Sequence, residues 1–268
     1  MVKVVTSRKT RTSIRTKSIP KNLKELPFNR FIPNLITLAA LCAGLSAIRF
    51  GLIDKWEHAI FAIVIAAILD SVDGRVARFL GASSRFGAEL DSLADFCNFG
   101  IAPAILAYLY QLNQWGRFGW LVCLFFAICM ALRLARFNAF LEETPPPLFA
   151  TGKFFMGIPA PAGGLLICIP MSIDFQFYPF KVPLVIHGIL ILAIAFMLIS
   201  RVPTFSFKKG AVPRSLVLPI FIIAGIVIAT FVMAPWLVLM LLGLIYVALI
   251  PLSIRHYKVL EKDLLKLA

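Results

Sequence analysis

The chain has 268 residues, 60% of them hydrophobic and only 15% charged, with a mean hydropathy of +0.90 and a formal net charge of +14. A soluble domain carries about a quarter charged residues. A chain of this length cannot hide so much apolar surface in a water-soluble core, so lipid must cover the rest. In chain order, residues 1–17 read as a basic tail without fixed structure, and no apolar signal-peptide stretch is visible in the first thirty residues. Residues 18–30 mix Leu and Phe with Lys and read as a short interfacial helix or as plain linker. About eight apolar runs long enough to cross a bilayer follow, at roughly 32–52, 56–80, 87–112, 118–140, 157–173, 182–200, 213–233 and 235–254. The fifth is interrupted by Pro159, Pro161 and Pro170, and the last two need a tight turn at Ala234-Pro235. The expected fold is all-α, a polytopic membrane helix bundle, with a basic tail over 1–30 and one membrane domain over 31–268.

The Lys and Arg residues orient the bundle. With the N-terminus in the cytoplasm, 23 of the 27 fall on the inside, and only Arg49, Lys55, Arg117 and Lys181 fall outside. This asymmetry agrees with an even number of spans. It also accounts for the positive charge as an orientation signal and an attraction to anionic lipid, with no nucleic-acid partner expected. The five cysteines lie in apolar stretches without C-x-x-C spacing. They read as packing or lipid-facing residues rather than as a disulfide framework or zinc site.

Five of the 13 acidic residues fall between positions 70 and 95: Asp70, Asp73, Glu89, Asp91 and Asp95. A carboxylate at membrane depth costs several kcal/mol unless it is paired or ligating. Asp70 and Asp73 are spaced i, i+3 near the end of the second span. Asp91 and Asp95 are spaced i, i+4 near the start of the third, so each pair shares a helix face. A short hairpin turn would bring four carboxylates around one spot. Oxygen-only ligation suits Mg²⁺, Mn²⁺ or Ca²⁺ rather than zinc, and paired hard cations serve phosphoryl chemistry. Gly74, Ala77 and Gly87 leave room for a bulky ligand, and Arg78 offers a bidentate grip on phosphate. Two rivals stand beside this reading. Salt bridges to Arg75 or Arg85 would make the acids structural. A cation or proton pathway would place acids deeper and on several helices.

The pattern Asp70-x-x-Asp73-Gly74-x-x-Ala77-Arg78, then eight residues, then Gly87-x-x-x-Asp91-x-x-x-Asp95 resembles the signature of the CDP-alcohol phosphatidyltransferase family. The runs Ile32–Thr37, Ser84–Asp95, Arg133–Asn138 and Gly157–Ala162 are similar to its membrane-embedded bacterial phosphatidylserine synthase branch. The likeness covers about 32–165, taken as the catalytic core. One departure is Asn98, before Phe99-Gly100, where that branch leads one to expect Ser; it bears on the acceptor, not on the chemistry. The resemblance implies Asp70, Asp73 and Asp91 as metal ligands, with Asp95 at the second metal and acting as the general base. It implies two divalent cations, Mg²⁺ or Mn²⁺, with Ca²⁺ a candidate in vitro. Asn34, Thr37, Gly74, Ala77, Arg78, Ser84 and Gly87 would contact CDP-diacylglycerol. L-serine would be the acceptor and phosphatidylserine and CMP the products, with glycerol 3-phosphate, choline or inositol phosphate as alternative acceptors. A homodimer in the cytoplasmic membrane, with its active site facing the cytoplasm, is also implied. Arg133, Arg136, Asn138 and Lys153 are the candidates for acceptor choice. Arg133 and Arg136 share a face at i, i+3 and could hold a carboxylate or a phosphate, or simply snorkel to the interface.

Overall fold

The computed structural model describes residues 31–82, 84–142, 154–205 and 214–267. The basic tail, the expected interfacial segment and Lys153 lie outside the described residues.

Helices α1 (Phe31–Leu52) and α2 (Trp56–Phe79) form an antiparallel hairpin. Pro33, Thr37, Ala40, Gly44, Ala47 and Gly51 make the buried stripe of α1. Such small residues let helices approach closely where lipid supplies no hydrophobic driving force between them. The chain turns again around Gly81, at φ 59°. Helix α3 (Arg85–Asp95) then starts at Ser84, whose side chain accepts from the Gly87 amide. It runs through a π-helical segment, Phe96–Ile101, into α4 (Ala102–Tyr110). Pro103 lies just beyond the π segment. It has no N–H and its ring crowds the carbonyl four residues back, and the wider turn relieves both.

Helix α5 (Arg117–Glu142) crosses next. The run expected at 157–173 is not one span. It forms two eight-residue helices, α6 (Ala160–Ile167) and α7 (Ile169–Gln176), that break at Cys168. Pro170, without an amide hydrogen, can open a helix but not continue one. Each piece rises only about 12 Å. Helix α8 (Leu184–Ile199) follows, then α9 (Arg214–Met233) and α10 (Pro235–Leu267), joined by the tight turn at Ala234. Two three-residue strands, β1 (Phe154–Met156) and β2 (Pro203–Phe205), pair antiparallel, with Met156 opposite Pro203.

The protein is an integral membrane protein, helical apart from the short β1–β2 pair. Five described helices are long and apolar enough to cross a bilayer: Phe31–Leu52, Arg85–Tyr110, Arg117–Ala139, Leu216–Met233 and Pro235–Leu260. Helix α2 has the length, at 24 residues, but carries Glu57, Asp70, Asp73, Arg75 and Arg78. Helix α8 has only 16 residues. Phe99, Phe126, Met130, Ile167 and Leu198 are among the fully buried side chains at the centre of the bundle. The large apolar residues of α9 from Leu216 to Ile228 are exposed, and Phe231 near its end packs edge-on against Phe61.

Candidate metal and phosphate site

Asp70 comes from the C-terminal half of α2, and Asp91 and Asp95 from successive turns of α3. One carboxylate oxygen from each lies within 4.8 Å of the others. This is the hairpin convergence the spacing predicts, with one difference. Asp73 stands outside the group, and Thr37 of α1 donates to its Oδ2 at 2.7 Å. The same Thr37 hydroxyl lies 3.1 Å from the Pro33 carbonyl. The sequence places Asp73 and Thr37 near one substrate but does not reveal that the first helix holds this carboxylate.

Asp95 Oδ1 is buried without a hydrogen-bond partner among the described residues. An ionised oxygen left in that state is costly unless a cation approaches it. Three clustered carboxylates with one orphaned oxygen fit a hard, oxygen-loving divalent cation, and the absence of nitrogen and sulfur donors argues against a softer one. The acids gather at one end of one hairpin, which is not how a conduction path across the membrane is built.

Beside the acids lies a pocket of about 180 Å³. Asn34, Thr37, Gly74, Ala77, Ser84 and Gly87 all line it, together with Asp73 and Asp91. These are the positions assigned to the donor nucleotide by resemblance. A Cβ on Gly87 would stand 3.0 Å from Asn34 Oδ1 and 3.2 Å from Ser84 Oγ, so glycine keeps this wall open. Arg78 is different. It is exposed and does not line the pocket, and its Nε donates to Gly74 O one turn back.

The expected acceptor residues separate. Arg133 Nε donates to Ile158 O at 2.6 Å, and its charge interacts with those of Asp95 and Asp70. Arg136 instead grips the end of α8. Its Nη1 donates to Ile199 O and its Nη2 to Leu198 O and Ser200 O. These carbonyls lack partners within the helix, and an arginine at a helix C-terminus satisfies them and opposes the helix dipole. Asn138 Nδ2 donates to Ser92 Oγ at 3.0 Å, tying α5 to α3 beside Asp91. Sequence reasoning missed Ser92; a hydroxyl directly after Asp91 on a half-buried position of an amphipathic helix is the signal it offered. We expect Arg136→Ala to cost about 1–3 kcal/mol of stability, the range for stranding buried polar groups, and to leave the acceptor KM near wild type. Thermal unfolding in detergent and a KM measurement check this, and a raised acceptor KM with unchanged melting would return Arg136 to the pocket.

A membrane helix hairpin with clustered acids beside a small-residue pocket defines a class of intramembrane enzyme that handles phosphate esters with cations. Residues 30–250 match the family CDP-alcohol phosphatidyltransferase, and the chain belongs to that family. It is 36% identical over 230 residues to the CDP-diacylglycerol–serine O-phosphatidyltransferase of Mycobacterium bovis, covering 85% of this chain and 80% of that protein. It is 38% identical to the protein of the same name from Mycobacterium leprae, covering 85% and 76%. With that of Bacillus subtilis it shares 34% identity over 181 residues, covering 68% and 93%.

Proposed function

We propose that the chain transfers the phosphatidyl group of CDP-diacylglycerol to the hydroxyl of L-serine, giving phosphatidylserine and CMP. The observation that carries the reaction is the convergence of Asp70, Asp91 and Asp95 beside the pocket lined by the donor motif. The choice of serine is supported by the names of the relatives.

Asn34, Ser84 and Gly87 shape the wall for the cytidine part, and the open space at Gly74 admits the pyrophosphate. Two divalent cations, Mg²⁺ or Mn²⁺, held by Asp70, Asp73, Asp91 and Asp95, would supply positive charge against the pyrophosphate oxygens. Asp95 takes the proton from the serine hydroxyl, as its orphaned Oδ1 suits a group that must accept. The hydroxyl oxygen then bonds to the lipid-side phosphorus, the bond from that phosphorus to the CMP oxygen breaks, and CMP leaves. The acyl chains stay in the bilayer throughout.

The assay is CMP release in detergent from CDP-diacylglycerol with Mg²⁺ or Mn²⁺, adding serine, glycerol 3-phosphate, choline or inositol phosphate one at a time. Serine alone should raise the rate strongly. No release with any alcohol sinks the enzymatic reading, and release with another alcohol moves the acceptor.

The site faces the cytoplasm in this reading, because the eight-run topology expected from the sequence puts 23 of the 27 Lys and Arg residues inside. In a cysteine-depleted background, single cysteines placed in the N-terminal tail and at Arg201 should resist an impermeant thiol reagent applied to intact cells. Labelling of either position from outside overturns the orientation.

A further inference from the structure

Tyr246 of α10 is a polar group that the reaction leaves unused. Its hydroxyl is buried without a hydrogen-bond partner among the described residues. Its ring lines an apolar cavity of about 280 Å³ together with Ile60, Leu166 and Gly243. A phenylalanine would fill the same space without the penalty of an unpaired hydroxyl. Thr204 of β2 is close to the hydroxyl, and Thr204 Oγ1 spends its own proton on Gly157 O at 2.8 Å. The next carbonyl, Ile158 O, accepts from Arg133 Nε. Thr204 and Arg133 therefore hold successive carbonyls of one turn, with β2 packed against α10. This brings the phenol near the guanidinium, and the guanidinium near Asp95.

We propose that Tyr246 Oη and Arg133 together bind the carboxylate of an amino-acid acceptor and so present its hydroxyl to Asp95. The inference rests on the reading of serine as acceptor. An amino acid brings a carboxylate that wants donors and a hydroxyl that must lose a proton. The phenol and the guanidinium supply charge-assisted hydrogen bonds for the first, and Asp95 serves the second. Helix α10, for which the sequence suggested no task, thereby becomes part of the acceptor site, and Tyr246 becomes a specificity residue.

The test is Tyr246→Phe in the full-length chain in detergent, which removes the hydroxyl and keeps the ring. The KM for serine should rise about 10- to 100-fold, the range for losing a hydrogen bond to a charged group. The KM for CDP-diacylglycerol should stay within about twofold, and kcat should be largely kept, as for a uniform-binding loss. The preference for serine over serinol, which has no carboxylate, should shrink by a similar factor. The melting temperature should not fall. Serine-dependent turnover with an unchanged serine KM in the variant overturns the Tyr246 assignment and leaves the acceptor standing. A rise confined to the CDP-diacylglycerol KM also overturns it, since Tyr246 would then serve the lipid through the apolar cavity. A wild type without serine-dependent CMP release removes both the acceptor and this inference.

Discussion

Asp91→Asn is expected to lower serine-dependent CMP release by about 10³-fold or more while the protein still inserts and stays folded. Asp91 is the one carboxylate that belongs both to the acidic group and to the lining of the donor pocket. Amide for carboxylate keeps the shape and removes a full negative charge. Electrostatic stabilisation by a bound cation is worth several kcal/mol, and each 1.4 kcal/mol is about a factor of ten in rate. Asp70→Asn should behave alike, since α2 contributes only this carboxylate to the convergent group. Mn²⁺ binding followed by calorimetry gives a second readout, and both variants should bind it more weakly. Either variant working normally at ordinary Mg²⁺ or Mn²⁺ would falsify the two-helix site.

Gly164→Ala is expected to have the second largest effect, although Gly164 touches no substrate. A Cβ at this position of α6 would stand 2.8 Å from the backbone Cα of Phe99 and 2.8 Å from its Cβ. Phe99 is fully buried in the π segment, four residues beyond Asp95. Backbone must therefore move, and it moves the turn next to Asp95, the proposed proton acceptor. Overpacking of this kind costs about 1–3 kcal/mol, and a misplacement of about 1 Å at a reacting group costs on the order of 100-fold in rate. Gly163→Ala is the control, because its Cβ would meet side-chain ends, Leu198 Cδ2 at 3.0 Å and Met130 Cε at 3.3 Å. Turnover at saturating substrates should separate the two variants, with melting temperature measured on each. Equal activities would show that the π segment does not position Asp95.

The acidic hairpin was legible because helix periodicity is local. The i, i+3 and i, i+4 spacings fix which carboxylates share a face, and a short turn around Gly81 leaves the two faces little choice but to meet. Gly74, Ala77 and Gly87 announced room for a bulky ligand, while Asn34, Thr37 and Ser84 were placed beside them by the family resemblance and not by periodicity. What escaped depends on partners far away in sequence. Arg136 and the carbonyls of Leu198, Ile199 and Ser200 are more than sixty positions apart, and an arginine near a helix end looks the same whether it caps, snorkels or binds a substrate. Thr37 diverts Asp73 across a gap of 36 positions. The break at Cys168 was half visible: the prolines announced an interruption, but hydropathy cannot distinguish a kinked span from two short helices. The β1–β2 pairing has no periodic signal, since three residues are too few to show alternation.

The shortness of α8 has a consequence for the surrounding lipid. Sixteen residues rise about 24 Å, against a hydrocarbon layer of about 30 Å. For α8 to cross, non-helical chain must make up the difference, and its carbonyls cannot face acyl chains unsatisfied. At the C-terminal end Arg136 supplies the donors, and β2 begins four residues beyond the last helical position. A charged guanidinium and a scrap of extended backbone at that depth would draw hydration inward and thin the bilayer beside them. The headgroup plane would then dip towards the acids instead of the acids climbing to meet it. A small, water-borne reactant and a lipid that never leaves its leaflet could share one level, with the depression as the meeting place for two phases.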